Sequence, residues 1–199
     1  KQSPCRANAK IMEGRDLPMD WKSMVATITT AIRTETNLDV RVTPCEIKTA
    51  EGVELLPGYP YTIEDRGYTV YSYDLISNPV KLTFDGNPTD LYLRWCGITE
   101  IDLSKLTALE EIHLQKNKLT KVDFSHNKNL KEIMLWDNQI TGENMTALVE
   151  SLPDRKEKVA GKLYLKDADI DDVNAILPSD IAIAEEKNWV VLDSNGDKI

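Results

Sequence analysis

Residues 91–98 (LYLRWCGI), 112–119 (IHLQKNKL) and 133–140 (IMLWDNQI) align without a gap, each 21 residues after the one before. The register holds downstream: Ile101 to Ser104 matches Val122 to Ser125, and Leu109 matches Leu130. A unit this short cannot bury its apolar side alone, so stacked copies must share one continuous core. Ile112 and Leu114 are two residues apart and point the same way from a short strand. Asn117 ends that strand, where an amide can satisfy backbone groups of the following turn. Asn138 holds the same place one unit later, so the two are predicted to form a ladder. Cys96 holds it in the first full unit and hydrogen-bonds only weakly, which suggests the end of the regular array.

From Leu109 and Leu130 the chain reads Leu-x-x-Ile-x-Leu-x-x-Asn-x-Leu, with Ile140 as the last apolar residue of the second copy. That pattern resembles the leucine-rich repeat signature. Upstream the register is fainter. Val70 lies 21 before Leu91, and Val80 and Leu82 lie 21 before Ile101 and Leu103, so residues 68–87 read as a degenerate first coil. Before it, residues 24–32 and 37–43 alternate and are rich in Thr, Val and Ile. Turns at Glu51-Gly52, Pro57-Gly58 and Arg66-Gly67 separate further short strands. The expectation is three parts: a loose leader (1–23), an N-terminal β cap (24–67) and a repeat domain with its own C-terminal cap (68–199).

Met145, Leu148, Val149 and Leu152 have helical spacing, and Pro153 stops that helix. A strand follows over 161–166, with Leu163 and Leu165 inward and Ile170 in the place of Leu119. The step from Ile133 to Leu163 is 30 residues, so a helix is inserted in that coil. Ser179 is expected to cap a helix over 180–187, and residues 189–192 form a last strand before the turn at Asn195-Gly196. The fold class expected is an α/β leucine-rich repeat solenoid with a short parallel sheet on its concave face, an N-terminal β cap and a helical C-terminal closure.

The arrangement resembles surface and secreted leucine-rich repeat proteins of gut and oral bacteria and, more distantly, internalins. The repeats carry the likeness, together with residues 147–155, 161–164 and 188–193. It covers 68–196 well and 24–67 loosely. It implies binding or adhesion without enzymatic activity, by a protein exported to the cell surface or secreted, in many relatives as a lipoprotein. Lys1 is not an initiator Met, so the chain reads as a mature or trimmed segment, and Cys5 lacks the apolar run that precedes a lipidation site.

Parallel strands lie about 4.8 Å apart, so equivalent side chains stack in columns. One outward column is Tyr71, Tyr92, His113, Met134 and Tyr164; the next is Tyr73, Arg94, Gln115, Trp136 and Lys166. At the strand ends stand Trp95, Lys116, Asp137 and Asp167, and at the strand starts Asp90, Glu111, Glu132 and Lys162. Exposed Trp, Tyr and Arg dominate binding hot spots. The plainer reading is that such neighbours only stabilise the sheet. A solvated face would favour short polar residues, so the columns are taken as a ligand face for a protein or glycan, with a structural spacer or scaffold of a cell-surface protein as the alternative. Trp136 is its expected centre, an indole left in water because Ile133 and Leu135 occupy the inward positions.

Other chemistries find little footing. The net charge of −9 disfavours nucleic acid and anionic membrane surfaces as partners. No run approaches the roughly 18 apolar residues of a membrane span. The three cysteines have no metal-ligand spacing; a Cys5–Cys45 disulfide stays open beside the favoured reading of free or buried thiols. His126 lies in a polar turn, and His113 can be drawn as an acid/base pair with Glu111 or Glu132. Asp167, Asp169, Asp171 and Asp172 have calcium-loop spacing, but Asp172 and Pro178 replace the required Gly and Glu, so a capped, solvated turn is expected. Asp193 to Asp197 has the same weakness. No metal, cofactor or phosphate-loop motif is expected, and the chain is taken as a monomer.

Overall fold

The computed structural model describes residues 25–30, 37–43, 47–51, 53–55, 57, 60–63, 68–75 and 80–199. The leader, Cys5, Cys45 and the glycine turns at 52, 58 and 67 lie outside the described residues. In chain order the elements are β1 (Val25–Thr30), β2 (Asn37–Thr43), β3 (Ile47–Glu51), β4 (Val53–Leu55), β5 (Tyr61–Ile63), β6 (Tyr68–Leu75), β7 (Val80–Phe84), β8 (Asp90–Tyr92) and β9 (Ile98–Asp102). There follow β10 (Glu111–His113), β11 (Glu132–Met134), α1 (Glu143–Ser151), β12 (Gly161–Lys166), α2 (Pro178–Glu186) and β13 (Trp189–Asp193).

Each 21-residue unit places one short strand beside the next. Strands β8, β10, β11, β12 and β13 run parallel, with Leu91, Ile112, Ile133 and Leu163 in one register. These four side chains and Leu93, Leu114, Leu135 and Leu165 are fully buried. Burying one such side chain stabilises by about 1.5–3 kcal/mol, and every unit adds its pair to the same core. The far side of the unit repeats as well. Leu103, Leu106 and Leu109 are buried in one copy, Val122, Phe124 and Leu130 in the next. Asp102 and Asp123 each accept the backbone N–H two residues on, at 2.9 and 2.8 Å, and form the same turn.

The 68–87 coil is not the parallel neighbour of β8. An N-terminal strand intervenes twice: β2 lies antiparallel between β6 and β8, and β1 lies antiparallel between β7 and β9. The result is a nine-stranded sheet ordered β13-β12-β11-β10-β8-β2-β6-β4, with β5 also on β6, and a four-stranded sheet ordered β3-β7-β1-β9. Through β2 the inward Leu91 pairs with Val42, and Val40 pairs with Tyr71. Tyr71 and Tyr73 therefore share the inward face, one residue out of the expected register. They are 3% and 4% exposed, stacked parallel with centroids 6.0 Å apart, and the Tyr71 hydroxyl accepts the Ile47 N–H at 3.1 Å. Neither belongs to an outward column.

The helix expected from Met145, Leu148 and Val149 is α1, and those three residues are its buried face. Helix α2 begins two residues earlier than a Ser179 cap would set it. Pro178 occupies its first position, where a missing N–H costs nothing, and the Asp180 carboxylate reaches back to the Leu177 N–H at 3.0 Å. Asp180 also accepts the Thr146 hydroxyl at 2.8 Å, which ties α2 to α1. Lys187 donates to the carbonyls of Val149, Glu150 and Leu152 and so caps the end of α1. No helix among the described residues is long and apolar enough to cross a membrane.

Candidate functional site

The amide ladder sets the geometry of the site. Asn117 Oδ1 accepts the N–H groups of Cys96 and Ile98, both at 3.0 Å, while its Nδ2 donates to Leu93 and Leu114 carbonyls, both at 2.8 Å. Asn138 repeats the pattern on Leu119, Leu114 and Leu135. A third member, Asn174, holds Ile140, Leu135 and Leu165 at 2.9–3.0 Å. Ile170, expected to follow the ladder, is instead 49% exposed, and Ile176 packs on the core in its place. The spacing Asn174-x-Ile176 matches Asn138-x-Ile140, a signal the sequence does carry. At the first ladder position the buried Cys96 thiol donates to the Arg94 carbonyl at 3.2 Å.

These bonds turn the chain sharply at the strand ends. Trp95, Lys116 and Asp137 occupy equivalent positions and all have left-handed backbone, with φ of 61°, 58° and 56°. Such a conformation costs a non-glycine residue about 1–2 kcal/mol. The ladder imposes it and presents these three side chains at the edge of the sheet.

The outward column Tyr92, His113, Met134 and Tyr164 is in register across β8, β10, β11 and β12. Arg41 of β2 extends it, opposite Tyr92, a neighbour hidden from repeat spacing. Tyr92 meets the His113 ring edge-on, with centroids 4.2 Å apart, and its hydroxyl donates to Glu111 at 3.4 Å. Among the described residues neither carboxylate drawn with His113 hydrogen-bonds it: Glu111 faces Tyr92 and Lys131, and Glu132 faces Lys162. Its Nε2 is buried without a partner. Burial first, then Arg94 and Arg41, push the imidazole pKa down to about 4, so the ring is neutral at pH 7. Next to it, burial and then the Glu111 charge raise the Asp90 pKa, with a Thr89 hydrogen bond opposing.

Beyond the inward Tyr73, the second column departs from expectation at three more places. Gln115 points outward yet is only 5% exposed. Its Nε2 faces the Met134 sulfur at 3.8 Å and its Oε1 has no partner. Trp136 is half-buried rather than open to water, because Lys116 lies over its ring at 4.8 Å. Lys116 also lies 5.5 Å from the Trp95 ring centroid, so one ammonium bridges two indoles, and it pairs with Asp167 at 3.6 Å. Trp95 itself is 72% exposed. Lys166 does not project freely from the face: its ammonium donates to the backbone carbonyls of Asp172, at 3.0 Å, and Asn174. Arg94, Trp95, Gln115, Lys116 and Trp136 together line a cavity of about 280 Å³.

The acidic turn expected to be solvated is partly buried. Asp172 accepts the N–H groups of Asp137, Asp167 and Asn174 at 2.7–2.9 Å, and Asp167 accepts that of Asp169 at 3.0 Å. The carboxylates brace the loop, and among the described residues no group of three His, Cys, Asp or Glu could hold a metal ion. Burial and then Asp172 raise the Asp137 pKa, with Lys116 opposing. His126 is exposed in its turn. A larger cavity of about 590 Å³ lies between β9 and α1, lined by Ile101, Val122 and Ala147 among others, with no aromatic residue among its described lining. Comparison of the chain with protein-family models, with curated proteins and with solved structures finds no match, so its site is read from its own residues.

Proposed function

We propose that the chain is a leucine-rich repeat solenoid that works outside the cytoplasm as a binding or adhesion module, recognising a protein or glycan through the outward face of its parallel strands. The observation that carries this reading is the continuity of Tyr92, His113, Met134 and Tyr164 with Trp95, Lys116 and Trp136 on one rigid sheet. Exposed aromatics cost free energy in water, and such residues supply most of the binding energy in recognised interfaces. The resemblance of the repeats to exported bacterial proteins supports the location. A glycan array and a protein binding screen with the purified chain test the reading. Trp136→Ala should weaken a bound ligand by about 30-fold. Because Trp136 is half-buried, it should also lower stability by about 1–2 kcal/mol. A ligand whose affinity is unchanged by both Trp95→Ala and Trp136→Ala would place binding elsewhere.

A further inference from the structure

The cavity at Trp95 and Trp136 has the chemistry of a particular ligand class, and the following rests on the outward face being the binding face. Its walls are two indoles, which offer flat apolar surfaces to a ring. Its volume, about 280 Å³, falls just below the range of drug-sized pockets and suits a single ring. Its floor carries Gln115, an amide 5% exposed whose Oε1 has no partner and whose Nε2 meets only a thioether. Exchanging the two amide atoms would leave the same deficit, so the floor lacks a polar partner in either orientation.

The charges around the cavity are unequal. Lys116 is engaged by Asp167 and by both indoles. Arg94 is exposed at the rim, and among the described residues no carboxylate pairs with it. Arg94 and Arg41 each act on the His113 imidazole, so the charge that reaches this part of the face is positive. Among the residues whose side chains are described, the carboxylates of the face lie elsewhere: Asp90, Glu111 and Glu132 at the strand starts, Asp137 and Asp167 beyond Lys116. In a chain of net charge −9, an unpaired guanidinium beside an aromatic cavity selects an anion that also has a flat apolar face and hydroxyl groups.

We propose that this cavity binds one carboxylate-bearing sugar of an acidic glycan, with the carboxylate on Arg94, the sugar ring against the indoles of Trp95 and Trp136, and a hydroxyl on the Gln115 amide. An acidic peptide would satisfy Arg94 but offers the buried amide and the two ring faces no single matching group.

Tryptophan fluorescence and calorimetric titration of the full chain test this with oligogalacturonate, hyaluronan oligosaccharides and oligosialic acid, each beside its carboxyl-reduced counterpart. At least one acidic oligosaccharide should bind and change the fluorescence, with its reduced counterpart about tenfold weaker or more. Arg94→Gln should weaken the acidic sugar far more than the reduced one and so remove most of that preference. Equal affinity for both forms, unaffected by Arg94→Gln, overturns the acidic assignment and leaves the binding face standing. So does a purified protein ligand lost on Trp95→Ala when no oligosaccharide binds. If a glycan or protein binds and neither Trp95→Ala nor Trp136→Ala affects it, both readings fall. Should Arg94→Gln unfold, the wild-type comparison of acidic and reduced sugars still decides.

Discussion

Asn117 satisfies two backbone N–H groups and two carbonyls inside a core that water does not reach. Leucine there would remove all four bonds, and only the Leu114 carbonyl keeps a second side-chain donor of the ladder, Asn138. Asn117→Leu should cost at least about 1–3 kcal/mol, read as a lowered midpoint in urea unfolding. An unchanged midpoint would refute the ladder as a source of stability. Asn117 and Asn138 were legible because the period places them. Asn174 does the same work and is marked by its Asn-x-Ile spacing, but extra loop residues after Lys166 break the 21-residue count and offer Ile170 as a false match. Gln115 marks another limit. Periodicity sets its direction correctly, but its burial comes from large neighbours such as Met134 and Trp136, which spacing does not weigh. Likewise, nothing in the repeat announces that Lys116 would cover the Trp136 ring.

Among the elements, the inserted helix and the closing strand were plain in the sequence, because α1 keeps its apolar stripe and β13 its apolar run. Strand β6 misled because its pairing partner comes from far upstream. A 21-residue match set Val70 beside Leu91, whereas β2 separates them, and one residue of slip exchanged the faces of Tyr71 and Tyr73. Strand β12 holds a sharper constraint. A Cβ on Gly161 would lie 2.5 Å from the Trp189 ring. That ring is 1% exposed, its Nε1 donates to the Pro153 carbonyl at 2.8 Å, and the Arg155 guanidinium lies 5.8 Å from its centroid. With no room to retreat, Gly161→Ala should destabilise by about 1–3 kcal/mol in thermal or denaturant unfolding. Gly142→Ala has open space around its Cβ but keeps φ at 54°, so any loss there reflects backbone conformation rather than crowding.

Across the whole molecule, stability should depend on pH through His113. Its folded pKa of about 4 lies below the ordinary 6.5, so the unfolded chain takes up this proton first as pH falls. The contribution is complete above pH 6.5 and is lost between 6.5 and 4, up to about 3 kcal/mol. Asp90 and Asp137, with raised pKa values, act in the opposite sense as their carboxyls protonate. The His113→Phe variant isolates the histidine: its unfolding free energy should fall less than that of the wild type between pH 7 and pH 4.5. Parallel slopes would contradict the neutral, buried imidazole. The nine-stranded sheet has one further consequence, at β13, its last strand. Lys198 bridges Leu192, and the Ile199 N–H reaches the Val191 carbonyl at 3.3 Å, so a few residues of backbone lie across an apolar edge. Remove residues 197–199 and that edge becomes a template onto which a second molecule can add a strand. The shortened chain should then self-associate in light scattering, increasingly with concentration, while the intact chain does not. Three residues outside the aromatic face would thereby keep this edge closed to a second copy of the chain.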